Sequence, residues 1–449
     1  MMTSRNISQS EYAHTGTDAS HDACAHHAVK QHTVIIDGAA EQFLRSGAPR
    51  NLSVFSASSS GVEAPRQYAN TSSSDVVSAR QRRYRLRDGE RLFTTLSRVR
   101  ACGKTTIGAA VELRASGDGS RVGYGGLSTC GSVWACPVCA AKISARRRDE
   151  VAELVAHAQA EGAEVSMLTL TMRHHRGQQL EALWDALSYG WSRLTSGRAW
   201  QQFEEQAGII GYIKSTEITY SDVNGWHVHL HVLIVTNRSI YIPIACQRAQ
   251  GRARQPYPVE YRLPKDIISE RWEKALKAKG VEVIPERGGV DWDVASDAEK
   301  LANYVTKFGD KKASASDRLS AEMTLGQYKK ARKNASRTLW QVLEDAVATG
   351  DMDDIEVWQE YERVSRGRRA MTWSRGLREW AGLGVEQSDE EIAEEVAGDR
   401  VVALIDADSW HRVVQPRAAE LLDALQEGEE HALAWLDAVG AAYCVERRE

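Results

Sequence analysis

Residues 225–235 read GWHVHLHVLIV, placing His227, His229 and His231 at every second position of an apolar segment. Successive side chains of a β-strand point to opposite faces, so the three imidazoles share one face while Val228, Leu230 and Val232 occupy the other. A lone histidine in such a place usually reads as a satisfied core residue. Three in strict alternation cost stability when buried without partners, and one divalent cation is the simplest partner for all three.

A further ligand candidate precedes them. Glu217 lies in GIIGYIKSTEITYS (208–221), which reads as the strand before the histidines, with VNG (223–225) as the tight turn between. A three-residue loop of Val223, Asn224 and left-handed Gly225 sets Asp222 opposite Trp226 and Glu217 opposite His231, on the ligand face. A two-residue Asn-Gly turn shifts the register by one and turns Glu217 away. Imidazole suits Zn, Mn, Fe and Ni, whereas an open site acting on phosphate oxygens favours Mg2+ or Mn2+.

The cysteines form a second constellation. Cys130, Cys136 and Cys139 lie in CGSVWACPVC, and Cys102 lies upstream. Seven cysteines in all, an odd count, in a chain with no apolar signal-peptide region favour metal binding over disulfides. Four thiolates suffice for a closed tetrahedral Zn2+ site that would hold a small basic region together. Arg146, Arg147 and Arg148 follow directly and are candidates for phosphate contact with DNA, against the plainer reading of a solvated helix face.

Ser296 and Glu299 match a capping box, so a helix is expected over SDAEKLANYVTKF. On it Lys300, Tyr304 and Lys307 are spaced to stack along one side. Lysines flanking a tyrosine favour phenolate and neutralise phosphate, although such a face is ordinary on its own. Combined with a histidine-held cation acting as Lewis acid, the tyrosine becomes a candidate covalent nucleophile toward a phosphodiester.

These motifs together resemble a known family. HVHLH resembles the histidine-hydrophobe-histidine (HUH) motif of rolling-circle replication initiators; SMLTLTMRH resembles their first motif and NYVTKF their tyrosine motif, in the same order. The similarity is greatest to Rep proteins of actinobacterial and other Gram-positive plasmids, and WQEYERVSRGRRAMTWSRGLREW (358–380) also resembles the actinobacterial members. The resemblance implies that Tyr304 cleaves one strand at the plasmid's origin and stays attached through a 5′-phosphotyrosine, with His227, His229 and His231 holding Mg2+ or Mn2+. It also implies origin DNA as partner, with host helicase and polymerase following. Relatives often carry a glutamate four residues before the tyrosine; that position here is Lys300, and Glu299 is accounted for by its capping box.

The elements positioning these groups follow from pattern. VSMLTLTM (165–172) reads as a strand, Leu180 to Leu194 as an amphipathic helix, and residues 146–159 and 267–279 as helices. After about residue 315 the pattern is mostly helical. The expected organisation is a disordered tail at 1–79, a basic Cys-rich zinc-binding region at 80–150, an HUH nicking domain at 151–312 and an acidic, mainly helical region at 313–449. The fold class is α+β, an antiparallel sheet with flanking helices.

Net charge is −4 over 449 residues, which hides an asymmetry. Residues 80–150 hold 15 Lys and Arg against 6 Asp and Glu, while residues 341–449 hold 11 against 26. One end of the chain suits polyanions and the other repels them. No apolar run approaches the roughly 20 residues of a membrane span, so a cytoplasmic protein is expected. Competing readings are a metal-dependent hydrolase, a non-enzymatic zinc-containing DNA-binding regulator, and an HUH-type transposase or relaxase. A hydrolase needs further ligands at later strand ends, and a regulator leaves the histidine strand unused. A relaxase usually places its tyrosine before the histidines.

Overall fold

The computed structural model describes residues 78–246, 260–281, 289–294 and 336–445. The expected tail, most of the basic connection at 249–265 and the helix expected around Tyr304, with Glu299, Lys300 and Lys307, lie outside these residues. Strands follow in the order β1 Ala110–Ala115, β2 Val122–Gly125, β3 Glu164–Leu170, β4 Ile209–Ser221, β5 Gly225–Thr236, β6 Ile244–Cys246, β7 Glu260–Arg262, β8 Val290–Val294, β9 Arg337–Thr338, β10 Met371–Trp373, β11 Arg400–Asp406 and β12 Tyr443–Cys444.

The central sheet has the order β10-β4-β5-β3-β8, with β9 on β4, and all its pairings are antiparallel. The expected α+β class is the one observed. Strand β5 is its middle, buried almost throughout, which accounts for its apolar run after the histidines. Val228, Leu230, Val232 and Ile234 face one side and share a core with Leu183 and Leu187 of the helix Leu180–Leu194 and Trp272 of the helix Pro264–Lys277. These two helices lie close: a side chain at Gly190 would meet the Trp272 ring at 2.8 Å. On the opposite side Leu233 and Val235 pack with Val151, Leu154, Val155 and Ala158 of the helix Pro137–Ala160. By alternation this is the face that carries the histidines, nearer the hairpin.

The second sheet has the order β12-β11-β1-β2. Residues 336–445 are mainly helical, as their pattern predicts, yet they also supply β10 to the central sheet and β11 and β12 to the second. Strand β1 is apolar on one face through Val111 and Leu113, and β11 pairs beside it, adding Val402 and Ile405 to the same core cluster. The helix Pro137–Ala160 begins nine residues earlier than its periodicity suggested and runs through the expected domain boundary at residue 150.

The charge asymmetry of the sequence does not become two separate ends. Pairing of β1 with β11 brings the basic and acidic regions together, and they neutralise each other in part: Arg80 meets Asp423 at 2.6 Å. The expectation of one cationic and one anionic end is corrected accordingly. Arg147 shows the same effect. It is buried, 3.1 Å from Glu150, 3.2 Å from Asp389 and 3.6 Å from Glu386, and it donates to the Gln387 carbonyl at 2.5 Å. Arg146 and Arg148 are exposed, so of the three arginines only Arg147 is committed to the interior. A buried arginine with these partners cannot also contact DNA, and its expected DNA-binding role is corrected to a structural one.

Truncating one member of a buried ionic cluster leaves the others uncompensated. Arg147→Ala should therefore lower stability by about 3 kcal/mol. Arg148→Ala should change it by less than about 0.5 kcal/mol, as surface substitutions do. Urea unfolding of the two variants beside the wild type measures both.

Candidate metal centres

The β4–β5 hairpin places the first centre. Ser221 pairs with Gly225, Tyr220 with Trp226, Thr219 with His227 and Glu217 with His229. The loop is Asp222–Val223–Asn224, one residue earlier than the expected three-residue loop. Glu217 consequently faces His229 rather than His231. The side-chain period is two, so the parity is unchanged and the carboxylate still lies on the ligand face. Gly225 has φ 74°, and Ser221 Oγ accepts from the amides of Val223 and Asn224, each at 3.2 Å. A side chain at Gly225 would sit 3.2 Å from Arg176 Cα, so both conformation and space favour glycine.

Glu217, His229 and His231 converge, all three buried. Glu217 Oε2 lies 3.2 Å from His229 Nε2 and 2.8 Å from His231 Nε2, and the two Nε2 atoms are 3.0 Å apart. His231 Nδ1 lies 3.3 Å from Thr169 Oγ1, whose residue pairs with His231 across β3–β5, so the rotation of that ring is constrained. Donors 2.1 Å from a cation at right angles to one another stand about 3 Å apart, the spacing found here. The group therefore fits three adjacent corners of an octahedron, with the remaining corners left to ligands from outside.

His227 lies on the same face but outside this group. Its ring stacks on His229 at a centroid distance of 4.7 Å and on His174 at 4.8 Å. Burial, then the neighbouring His229 and His174, push its pKa down to about 3, so the ring is neutral. Of the four residues the sequence named for this centre, Glu217 converges with His229 and His231 and His227 does not. His174, in the first motif, was not singled out from the sequence; only the fold brings it to the ladder. Glu360 was missed too. Its carboxylate accepts from the Leu180 amide at 2.8 Å and from Trp226 Nε1 at 3.1 Å, fixing the hairpin against the helix Leu180–Leu194.

The second centre gathers Cys102, Cys130, Cys136 and Cys139, all buried, with their sulfurs within 4.8 Å of one another. Cys136 caps the helix Pro137–Ala160 and Cys139 lies in its first turn, where the free amides and helix dipole favour thiolates. Sulfur separations are 3.7 Å for Cys102–Cys136, 3.5 Å for Cys102–Cys139 and 3.7 Å for Cys130–Cys139. A disulfide would need about 2.05 Å. Four sulfurs at 2.3 Å around one ion stand about 3.8 Å apart in a tetrahedron, so the cluster fits a single closed site.

Its surroundings suit a negative cluster. Arg91 donates to the Cys102 carbonyl, and a side chain at Gly103 would collide with the buried Arg87 guanidinium, whose Nη2 has no hydrogen-bond partner among the described residues. Hydrogen bonds from Cys130, Cys136 and Cys139, aided by Arg87, hold the Cys102 thiol well below its usual range. Neither arginine carries a motif, and their roles depend on tertiary contact. No described helix is long and apolar enough to cross a membrane.

Comparison with known proteins accords with these centres. Residues 127–243 match the family described as Replication protein, a span that starts after Cys102 and ends before Tyr304. The chain is 28% identical over 346 residues to "Protein rep" of Streptomyces lividans, covering 66% of this chain and 74% of that protein. It is 30% identical over 156 residues to "Neomycin resistance protein" of Streptomyces cyanogenus, covering 29% of this chain and 33% of that one. Similarity to "Protein rep" of Lactiplantibacillus plantarum is 26% over 186 residues, or 39% and 52% of the two chains. No solved structure matches. Residues 127–243, holding three of the four cysteines and the whole Glu217–His229–His231 group, carry the replication-protein match, and the chain is similar over two thirds of its length to a protein named for replication.

Proposed function

We propose that this chain initiates rolling-circle replication of a plasmid by cutting and rejoining one strand of origin DNA. The observation that supports this most is the convergence of Glu217, His229 and His231 at octahedral-edge spacing within a replication-protein match. Mg2+ or Mn2+ held there would supply Lewis acidity toward a phosphate oxygen. Tyr304 is the nucleophile. Its phenolic oxygen attacks phosphorus, the new Oη–P bond replaces the P–O3′ bond, and the 3′-oxygen leaves and takes up a proton. The 5′-phosphate stays on the tyrosine, so bond energy is retained and rejoining by a later 3′-hydroxyl needs no ATP. Lys300 and Lys307 flank Tyr304 at helical spacing and offset phosphate charge. Host helicase and polymerase would act on the exposed strand and the freed 3′-hydroxyl.

The four cysteines hold Zn2+ in a structural role, since a closed tetrahedral site leaves no position for substrate. Arg146 and Arg148 remain candidates for phosphate contact at the exposed side of the same helix.

Mixing the protein with a single strand from the origin and Mn2+ should give a covalent protein–DNA band. Tyr304→Phe should abolish the band, and Glu217→Ala or His229→Ala should reduce its rate by on the order of 100-fold or more. His227→Phe should retain it within about tenfold, as expected of a residue that supports a ligand without being one. A band that survives in Tyr304→Phe would refute the nucleophile, and one insensitive to EDTA would refute the metal.

Elemental analysis tests the second centre. Cys136→Ser and Cys139→Ser should each cost the purified protein about one zinc ion per chain and lower its Tm, whereas Cys444→Ser should change neither. Full zinc content in the Cys136 and Cys139 variants would exclude the cluster as its site.

A further inference from the structure

The ring ladder beginning at His229 has a part that metal binding does not use. His229, His227 and His174 follow one another with centroid separations of 4.7 and 4.8 Å and interplanar angles of 24° and 26°. His229 belongs to the group of three donors; His174 is half-buried and ends the ladder, since no other ring among the described residues packs on it. The outer ring is also fixed. His174 Nδ1–H donates to the Asn224 carbonyl at 3.2 Å, tying the loop after β3 to the hairpin tip. That loop is braced within itself, because the His175 amide donates to Gln178 Oε1 at 2.8 Å. Arg173, His175 and Arg176 beside it are exposed.

A rigid, half-exposed aromatic ring edged by arginines is the arrangement that single-stranded nucleic acid binding uses. The ring takes a base by stacking and the cations take its backbone. We propose that His174 is a stacking platform for one unpaired base of the substrate strand, with His227 as the spacer that sets its distance from the metal-binding group. A base seated on His174 would hold the neighbouring phosphate in register with Glu217, His229 and His231. This rests on the nicking function proposed above and adds the residue that positions the strand. Stacking is tolerant of sequence, so the platform contributes affinity for unpaired strands rather than recognition of a particular base.

The test separates this role from the nicking chemistry by measuring binding in EDTA, where no cutting occurs. Full-length wild type, His174→Ala and His174→Phe would be titrated into a fluorescein-labelled, mixed-sequence single strand and into the corresponding duplex, with anisotropy as the readout. His174→Ala should weaken single-strand binding by roughly 5- to 150-fold, the range for loss of one base–aromatic stack. Duplex binding should be unchanged. His174→Phe keeps a ring but loses the bond to Asn224, and should bind single strands nearly as the wild type does.

Three results would overturn the proposal: unchanged single-strand affinity in His174→Ala, a His174→Phe variant as weak as His174→Ala, or a wild type that does not hold the single strand. The second would mean that only the bond to Asn224 matters and the ring merely anchors the loop. A covalent-band assay with Mn2+ on the same samples reports the nicking function independently. Absence of the band with normal ring-dependent binding would remove that function and leave the platform standing.

Discussion

The register of one hairpin decides whether the first centre exists. Glu217 stands opposite His229 only because Ser221 pairs with Gly225, and a slip of one residue would carry the carboxylate to the other face of the sheet. Several contacts fix that register. Gly225 takes the left-handed conformation, Ser221 Oγ accepts both loop amides, and β9 pairs Thr338 with Thr219 on the outer edge of β4. Arg337 on β9 reaches Asp222 at the hairpin tip at 3.0 Å and also Asp345 and Asp354 in the helices that follow. The C-terminal region therefore braces the hairpin directly. Such support is needed because a buried carboxylate and two buried imidazoles at 3 Å are costly without a cation among them.

The helix Pro137–Ala160 links the two centres. Its first turn carries Cys136 and Cys139, and its later turns pack Val151, Leu154, Val155 and Ala158 on the sheet face that also holds the histidines. Between these, Arg147 and Glu150 meet Asp389 and Arg378 of the C-terminal region. A cysteine site at the start of this helix therefore fixes where the whole helix lies on the sheet. In this basic segment, that constraint adds to the core contacts made by Val99, Val133, Trp134 and Ile143.

What could be read from the sequence was whatever depends on local periodicity. Alternation placed His229 and His231 on one face, and spacing grouped the cysteines, because both follow from backbone geometry alone. Glu217 depended on a turn, and although the loop is displaced by one residue from the expected one, the period of two preserved its face. His227 illustrates the limit. The strand puts all three imidazoles on one face, but a fourth donor from β4 draws the centre toward His231, and His174 from another loop takes up His227. The run Arg146–Arg148 was undecidable for a similar reason: which of three consecutive arginines turns inward depends on where residues 386–389 pack. Strand β11 was absorbed into a helical reading because its partner, β1, lies nearly 300 residues away in sequence.

Donor spacing distinguishes the roles of the two centres more sharply than ligand type does. Sulfurs 3.5–3.7 Å apart fit the edges of a tetrahedron, and four of them complete it. Nitrogen and oxygen donors 2.8–3.2 Å apart fit the edges of an octahedron, and three of them fill half of it. Four thiolates would close a site for one ion, whereas Glu217, His229 and His231 would leave an ion room for ligands from outside. The proposed chemistry on a phosphodiester therefore suits the second of these groups better than the cysteine cluster. The helix Pro137–Ala160 packs over Leu233 and Val235, farther along the strand than His229 and His231.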